Sequence, residues 1–183
     1  MKEIEKEVEA AYRTEQMVAI LIDGNNIEQS LHNKYKEVTC MLNFDLAIPK
    51  VLKGRALKKL VYFREGVNIS DKLTRRLKNK FFGTTVACHK SADVPLTIHA
   101  IQLVDKVDTI IIFSGDSDYI SLAEFLKQRG VRVEIVGVHG TVSKVLVEKS
   151  DDIYYLSEEE IWFNKDEVLP PTEAAPIIET EIK

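Results

Sequence analysis

The stretch from Val107 to Gly130, VDTIIIFSGDSDYISLAEFLKQRG, constrains this chain more than any other. Ile110, Ile111, Ile112 and Phe113 form a continuous apolar run, the pattern of a central strand covered on both faces. Ser114-Gly115-Asp116-Ser117-Asp118 follows at the strand's carboxyl end. Tyr119, Leu122, Ala123 and Leu126 then repeat at helical spacing, and Gly130 supplies a C′ stop. In open α/β sheets ligands bind at the carboxyl ends of strands, so Asp116 and Asp118 stand where chemistry usually sits. The alternative is that Asp118 or Ser117 only caps the helix, a common use of such residues.

The same grammar recurs along the chain. Met17 to Ile22 is a short apolar run that ends in Asp23-Gly24-Asn25-Asn26. This is a second buried strand with an acid at its carboxyl end, and Gly24 allows a sharp turn there. Further strands are expected at Leu57–Phe63, Thr84–Cys88, Val131–Val138 and Ile153–Leu156. Helices are expected from Ile27, over Phe44–Leu52, after Ser70, from Asp93 and over Thr141–Lys149. Strands alternating with helices predict a parallel sheet with helices on both faces. Right-handed crossovers would bring Asp23 and the Asp116/Asp118 turn to one sheet edge. Asp93, at a helix N-terminus entered from another strand, would reach the same place.

Length and charge set the remaining bounds. The chain has 183 residues, enough for one α/β domain with short extensions. Residues 1–16 read as an amphipathic helical extension with Ile4, Val8, Ala11 and Tyr12 as a thin apolar stripe. Residues 17–163 form the domain, and 164–183 read as an acidic, Pro-containing flexible tail. No apolar run approaches the roughly 20 residues that a membrane span requires. Cys40 and Cys88 make no disulfide framework, so a reducing cytoplasm is the expected location. The stripe of residues 3–15 and the Trp162–Phe163 pair, read as a hydrophobic clasp or an interface, leave a homodimer open.

Residues 17–156 carry twenty bases and sixteen acids, against a whole-chain charge of −4. Thirteen Lys or Arg fall between Lys34 and Lys80, with Arg75 and Arg76 close together. A basic rim around an acidic centre suits a phosphate-backbone substrate near metal ions. The other reading is that these side chains only solvate helix faces.

Four acids therefore converge: Asp23, Asp93, Asp116 and Asp118. Clustered carboxylates repel, and a hard divalent cation relieves them. An all-oxygen ligand set suits Mg²⁺ or Mn²⁺ rather than Zn²⁺. No P-loop, dinucleotide fingerprint or nucleophile elbow competes.

The motifs VAILIDGNN, KSADV and DTIIIFSGDSDY, followed by Ser143, Leu146 and Asp151, resemble a NYN domain of the LabA type, within the PIN-like nucleases. The resemblance spans roughly Met17 to Leu156. It implies a Rossmann-like three-layer α/β/α sandwich with a mainly parallel sheet. It also implies a Mg²⁺- or Mn²⁺-dependent endoribonuclease that cuts RNA phosphodiester bonds. Carried over, Asp23 and Asn26 fill the first motif, Lys90 and Asp93 the second, and Ser114, Asp116 and Asp118 the third. The four aspartates would hold metal and catalyse. Asn26, Lys90, Ser114, Arg75 and Arg76 would contact RNA. His99 stands where such sequences often carry a second acid, and it reads as a helix-packing residue. That substitution motivates the alternative of a non-catalytic module that binds RNA or a protein.

Overall fold

The computed structural model describes residues 16–36, 40–66 and 69–163. The expected N-terminal helix, up to Glu15, and the expected acidic tail lie outside the described residues. Six strands form one parallel sheet: β1 (Met17–Asp23), β3 (Ala56–Glu65), β4 (Thr84–Cys88), β5 (Thr109–Phe113), β6 (Arg132–Gly137) and β7 (Asp152–Tyr155). Their spatial order is β4-β3-β1-β5-β6-β7. The chain winds outward from β1 to β4, returns to the far side of β1, and winds outward again to β7. This is the doubly wound order of Rossmann-like sheets.

The apolar runs explain the layers. Alternate residues of a strand point to opposite faces. Ile111 and Phe113 of β5 enter one core with Val18, Ile20 and Ile22 of β1. Ile110 and Ile112 enter the other with Ala19 and Leu21. The first core is closed by α1 (Gly24–Tyr35), α2 (Phe44–Leu52) and α3 (Asp71–Phe81) through Ile27, Leu31, Ala47, Ile48, Val51 and Leu77. The second is closed by α4 (Asp93–Leu103), α5 (Ile120–Gln128) and α6 (Lys144–Lys149) through Leu96, Ala100, Leu122, Ala123, Leu126 and Leu146. The result is the expected α/β/α sandwich. No helix among the described residues is long and apolar enough to cross a membrane.

Two local expectations need correction. Gly24 does not make a turn: it is the first residue of α1. Its role is close approach, since a Cβ there would sit 2.3 Å from the Tyr62 ring and 2.8 Å from the Phe63 carbonyl. The helix expected from Thr141 begins only at Lys144, with Ser143 as its cap. The sheet also gains a neighbour that periodicity could not reveal. β2 (Met41–Leu42) pairs antiparallel with β8 (Ile161–Trp162). This pair clasps the C-terminal end of the described chain to α1 and α2, and Phe163 stacks edge-on against Tyr35 at 5.1 Å.

Candidate metal centre

The winding reverses between β1 and β5, so their carboxyl ends open a crevice where α1 leaves to one face and α5 to the other. Asp23 closes β1 there and is only 5% exposed. One of its oxygens accepts the Asn26 backbone N–H at 3.1 Å, which caps α1. The other accepts the Tyr119 hydroxyl at 2.9 Å. Burial pushes the Asp23 carboxyl above its ordinary value. The two hydrogen bonds oppose that rise, while the nearby charges of Asp93 and Asp116 add to it. Tyr119 is fully buried, and burial followed by the charge of Asp23 drives its hydroxyl far upward. The phenol therefore keeps its proton and donates a hydrogen bond to Asp23.

The turn after β5 is built from the same kind of bond. Asn26 Oδ1 accepts the Gly115 N–H at 2.9 Å, which joins the first motif to the last. A Cβ on Gly115 would meet the Thr141 carbonyl and Val142 Cα at 2.9 Å, so only glycine lets the β6–α6 loop close over it. The Ser143 N–H donates to the Gly115 carbonyl at 2.9 Å. Ser114 is fully buried, and its hydroxyl accepts the Asp116 N–H at 3.2 Å. Asp116 in turn accepts the Asp118 N–H at 3.1 Å and caps the 3-10 turn Ser117–Tyr119. Capping thus falls to Asp116, not to Asp118 or Ser117.

Asp93 opens α4 from the facing loop, half-buried. One carboxylate oxygen from each of Asp93, Asp116 and Asp118 lies within 4.8 Å of the other two. Around Mg²⁺, ligands at 2.0–2.1 Å are at most about 4.2 Å apart, so small side-chain shifts or retained waters would complete the fit. The donors are all hard oxygens, as such a cation prefers. The structure therefore brings three of the four expected acids together. Asp23 stands behind them, close enough for its charge to be felt but with both oxygens already accepting bonds.

The basic residues divide. Lys90 is exposed in the β4–α4 loop, three residues before Asp93, and Arg75 is exposed on α3. Arg76, expected to contact RNA, is instead half-buried and engaged inside the protein. Its guanidinium grips Asp45 at 2.6 and 3.2 Å and lies 4.4 Å from the Trp162 ring centroid. Lys50, Lys53, Arg55, Arg64 and Lys80 are likewise ion-paired with acids of the domain. Much of the basic stretch therefore joins elements rather than lining a rim. His99 packs edge-on against Phe63 at 5.2 Å, as a helix-packing residue should. Asp151 lies at the opposite sheet edge, where it accepts the Val133 N–H. Sequence reasoning placed Tyr119 in the core and missed its hydroxyl. The available signal was a tyrosine, where phenylalanine would fill a core equally well, because a buried phenol needs a polar partner.

Comparison with known proteins agrees with the fold. The low amplitude and bright protein LabA of Synechococcus elongatus is 23% identical over 176 residues, covering 88% of this chain and 95% of that protein. An uncharacterized protein of Methanocaldococcus jannaschii is 28% identical over 151 residues, covering 79% of this chain and 57% of its own length. The crystal structure of a Vibrio parahaemolyticus protein of unknown function superposes with a TM-score of 0.71 at 19% identity, covering 80% of this chain and 96% of that one. The fold is thus shared beyond the reach of sequence identity. Residues 17–158 match the NYN domain model, and the chain belongs to the NYN domain family, whose fold is that of the PIN-like nucleases.

Proposed function

We propose that this protein is a Mg²⁺- or Mn²⁺-dependent endoribonuclease. The observation that carries the reading is the convergence of Asp93, Asp116 and Asp118 at the point where the sheet reverses its winding. These three carboxylates would hold the cation. When bound, it would polarise the phosphoryl oxygens and make a water acidic enough to attack. Asp23 adds a fourth negative charge behind the cluster, its position set by Tyr119 and Asn26. Ser114 fixes the backbone of Asp116 from below. Lys90 and Arg75, both exposed, would steer the RNA backbone toward the acids.

A second reading, a catalytically weak module that binds RNA or a protein, is favoured by the internal donors, Asn26 and Tyr119, that each engage one oxygen of Asp23. The two readings part on metal binding, which the enzyme requires. The test is cleavage of a mixed pool of labelled RNAs and single-stranded DNA with Mg²⁺, Mn²⁺ or EDTA, beside Asp116→Asn. RNA cleavage that needs metal and disappears in the variant is the expected result. Cleavage that survives in Asp116→Asn, or none from wild type although Mn²⁺ is bound, would overturn the enzyme reading.

A further inference from the structure

The helix that presents Asp93 is apolar on two sides. Leu96 and Ala100 of α4 are buried against the sheet. Val94, Ile98 and Ile101 point the other way, 66%, 49% and 47% exposed. These three recur at i, i+4 and i+7, which places them on one outer stripe. From Val94 to Leu103 α4 carries no lysine, arginine, aspartate or glutamate, in a chain where such residues make up 30%. A helix that is hydrophobic all round is ordinarily a covered one. The stripe has a second wall. Phe125 of α5 is also exposed, and Arg129, one turn further along α5, reaches Asp105 just beyond the end of α4. Phe125 shares that side of α5 by its spacing.

We propose that this groove is the docking site of the chain's own N-terminal segment, residues 1–15. Three observations favour that occupant. The segment joins the domain beside the end of α4: the Met17 N–H donates to Asp108 at 2.8 Å, and the Asp108 N–H returns to the Met17 carbonyl. Asp108 follows α4 by only a few residues. The lengths also agree, since fifteen helical residues span about 22 Å and the eleven of α4 about 16 Å. Finally, Ile4, Val8, Ala11 and Tyr12 give the segment one apolar stripe of matching spacing, with its charges elsewhere. Docked parallel to α4, with Tyr12 toward the end of α4 and Ile4 toward its start, it would brace the helix whose first residue is Asp93. The inference does not depend on metal binding or on cleavage.

The test places the photo-crosslinker benzoylphenylalanine at Ile98 in the full chain, with Ile101 as a second probe position and the well-exposed Phe82, outside the groove, as the comparison. After irradiation at low protein concentration, the expected product has the monomer mass and joins α4 to residues 1–15. Val8→Asp should reduce its yield several-fold. A crosslink at twice the monomer mass would overturn the proposal and make a second copy the occupant. No attachment to residues 1–15 from either groove probe, or equal attachment from Phe82, would overturn it as well.

Discussion

The Tyr119 hydroxyl donates to Asp23 at 2.9 Å, across 96 positions of sequence. This bond ties the end of β1 to the turn after β5, the two strands on either side of the winding reversal. It also supplies one of the two donors that keep a buried carboxylate satisfied. Tyr119→Phe keeps the ring and removes the donor. A buried charged acceptor left short of a partner costs about 1–3 kcal/mol. Metal-free thermal melts of the variant should therefore show a lower Tm. In an Asp23→Asn background the same change should cost markedly less, because the carboxylate is gone. Equal costs in both backgrounds would mean that Tyr119 acts through packing alone.

The raised carboxyl of Asp23 fixes the sign of a pH effect. The folded protein holds its proton more tightly than the unfolded chain does, whose value is 3.8. Below 3.8 both states are protonated and nothing is lost. As pH rises through the higher folded value, ionisation costs the folded state free energy, and that penalty is complete at neutral pH. Asp23→Asn removes it. In EDTA the variant should melt above wild type at pH 7, with the gap closing as pH falls toward 3.8. If Asp93, Asp116 and Asp118 hold Mn²⁺, saturating Mn²⁺ should raise the Tm of both proteins at pH 7, and raise it less in Asp23→Asn, which keeps the three ligands but lacks the fourth negative charge behind them.

Much of this arrangement was legible in the sequence because it is local. Ile110–Phe113 and Met17–Ile22 announce strands buried on both faces, and the acids behind them need only the next few residues. What stayed hidden depends on partners distant in sequence. β2 and β8 are two residues each and display no period, yet they pair across more than a hundred positions. Gly24 reads as a turn former until the ring of Tyr62 is seen against it. Arg76 and Arg75 are neighbours in a basic run, and only the folding of α2 and β8 onto α3 separates their roles.

The opposite edge of the sheet carries a buried ion pair with its own pH signature. Arg55 grips Glu134 with two hydrogen bonds at 2.8 and 2.7 Å and also donates to the carbonyls of Leu52 and Val51. Burial pushes the Glu134 carboxyl upward, but Arg55 and Arg132 outweigh it and hold it below the usual range. The stability so gained is present above the unfolded value of 4.5 and is lost as pH falls through the lower folded value. Removing Arg55 leaves Glu134 with Arg132 as its remaining partner, so Arg55→Ala should cost about 1–3 kcal/mol in urea unfolding at pH 7. The cost should shrink in acid. A loss that stays constant down to pH 3 would show that the carbonyl contacts, not the charge pair, dominate.

The last prediction separates two adjacent arginines of α3. Arg76 is committed to Asp45 and to the face of Trp162, so it holds α2, α3 and β8 together. Arg76→Ala should lower stability by about 1–3 kcal/mol, the range expected when a charge-assisted bond and a cation–π contact are lost together. Arg75 is exposed, and its recorded bond is a long one, 3.4 Å to the Asp71 carbonyl. Arg75→Ala should leave Tm within about 0.5 kcal/mol of wild type in free-energy terms. If the RNA path crosses α3, it should also reduce the slope of log affinity against log salt by about 0.7 on single-stranded RNA. Filter binding at several salt concentrations, run beside thermal melts of both variants, reads both effects. An unchanged salt slope for Arg75→Ala would take α3 off the RNA path and leave Lys90 as the basic residue nearest the acids in sequence.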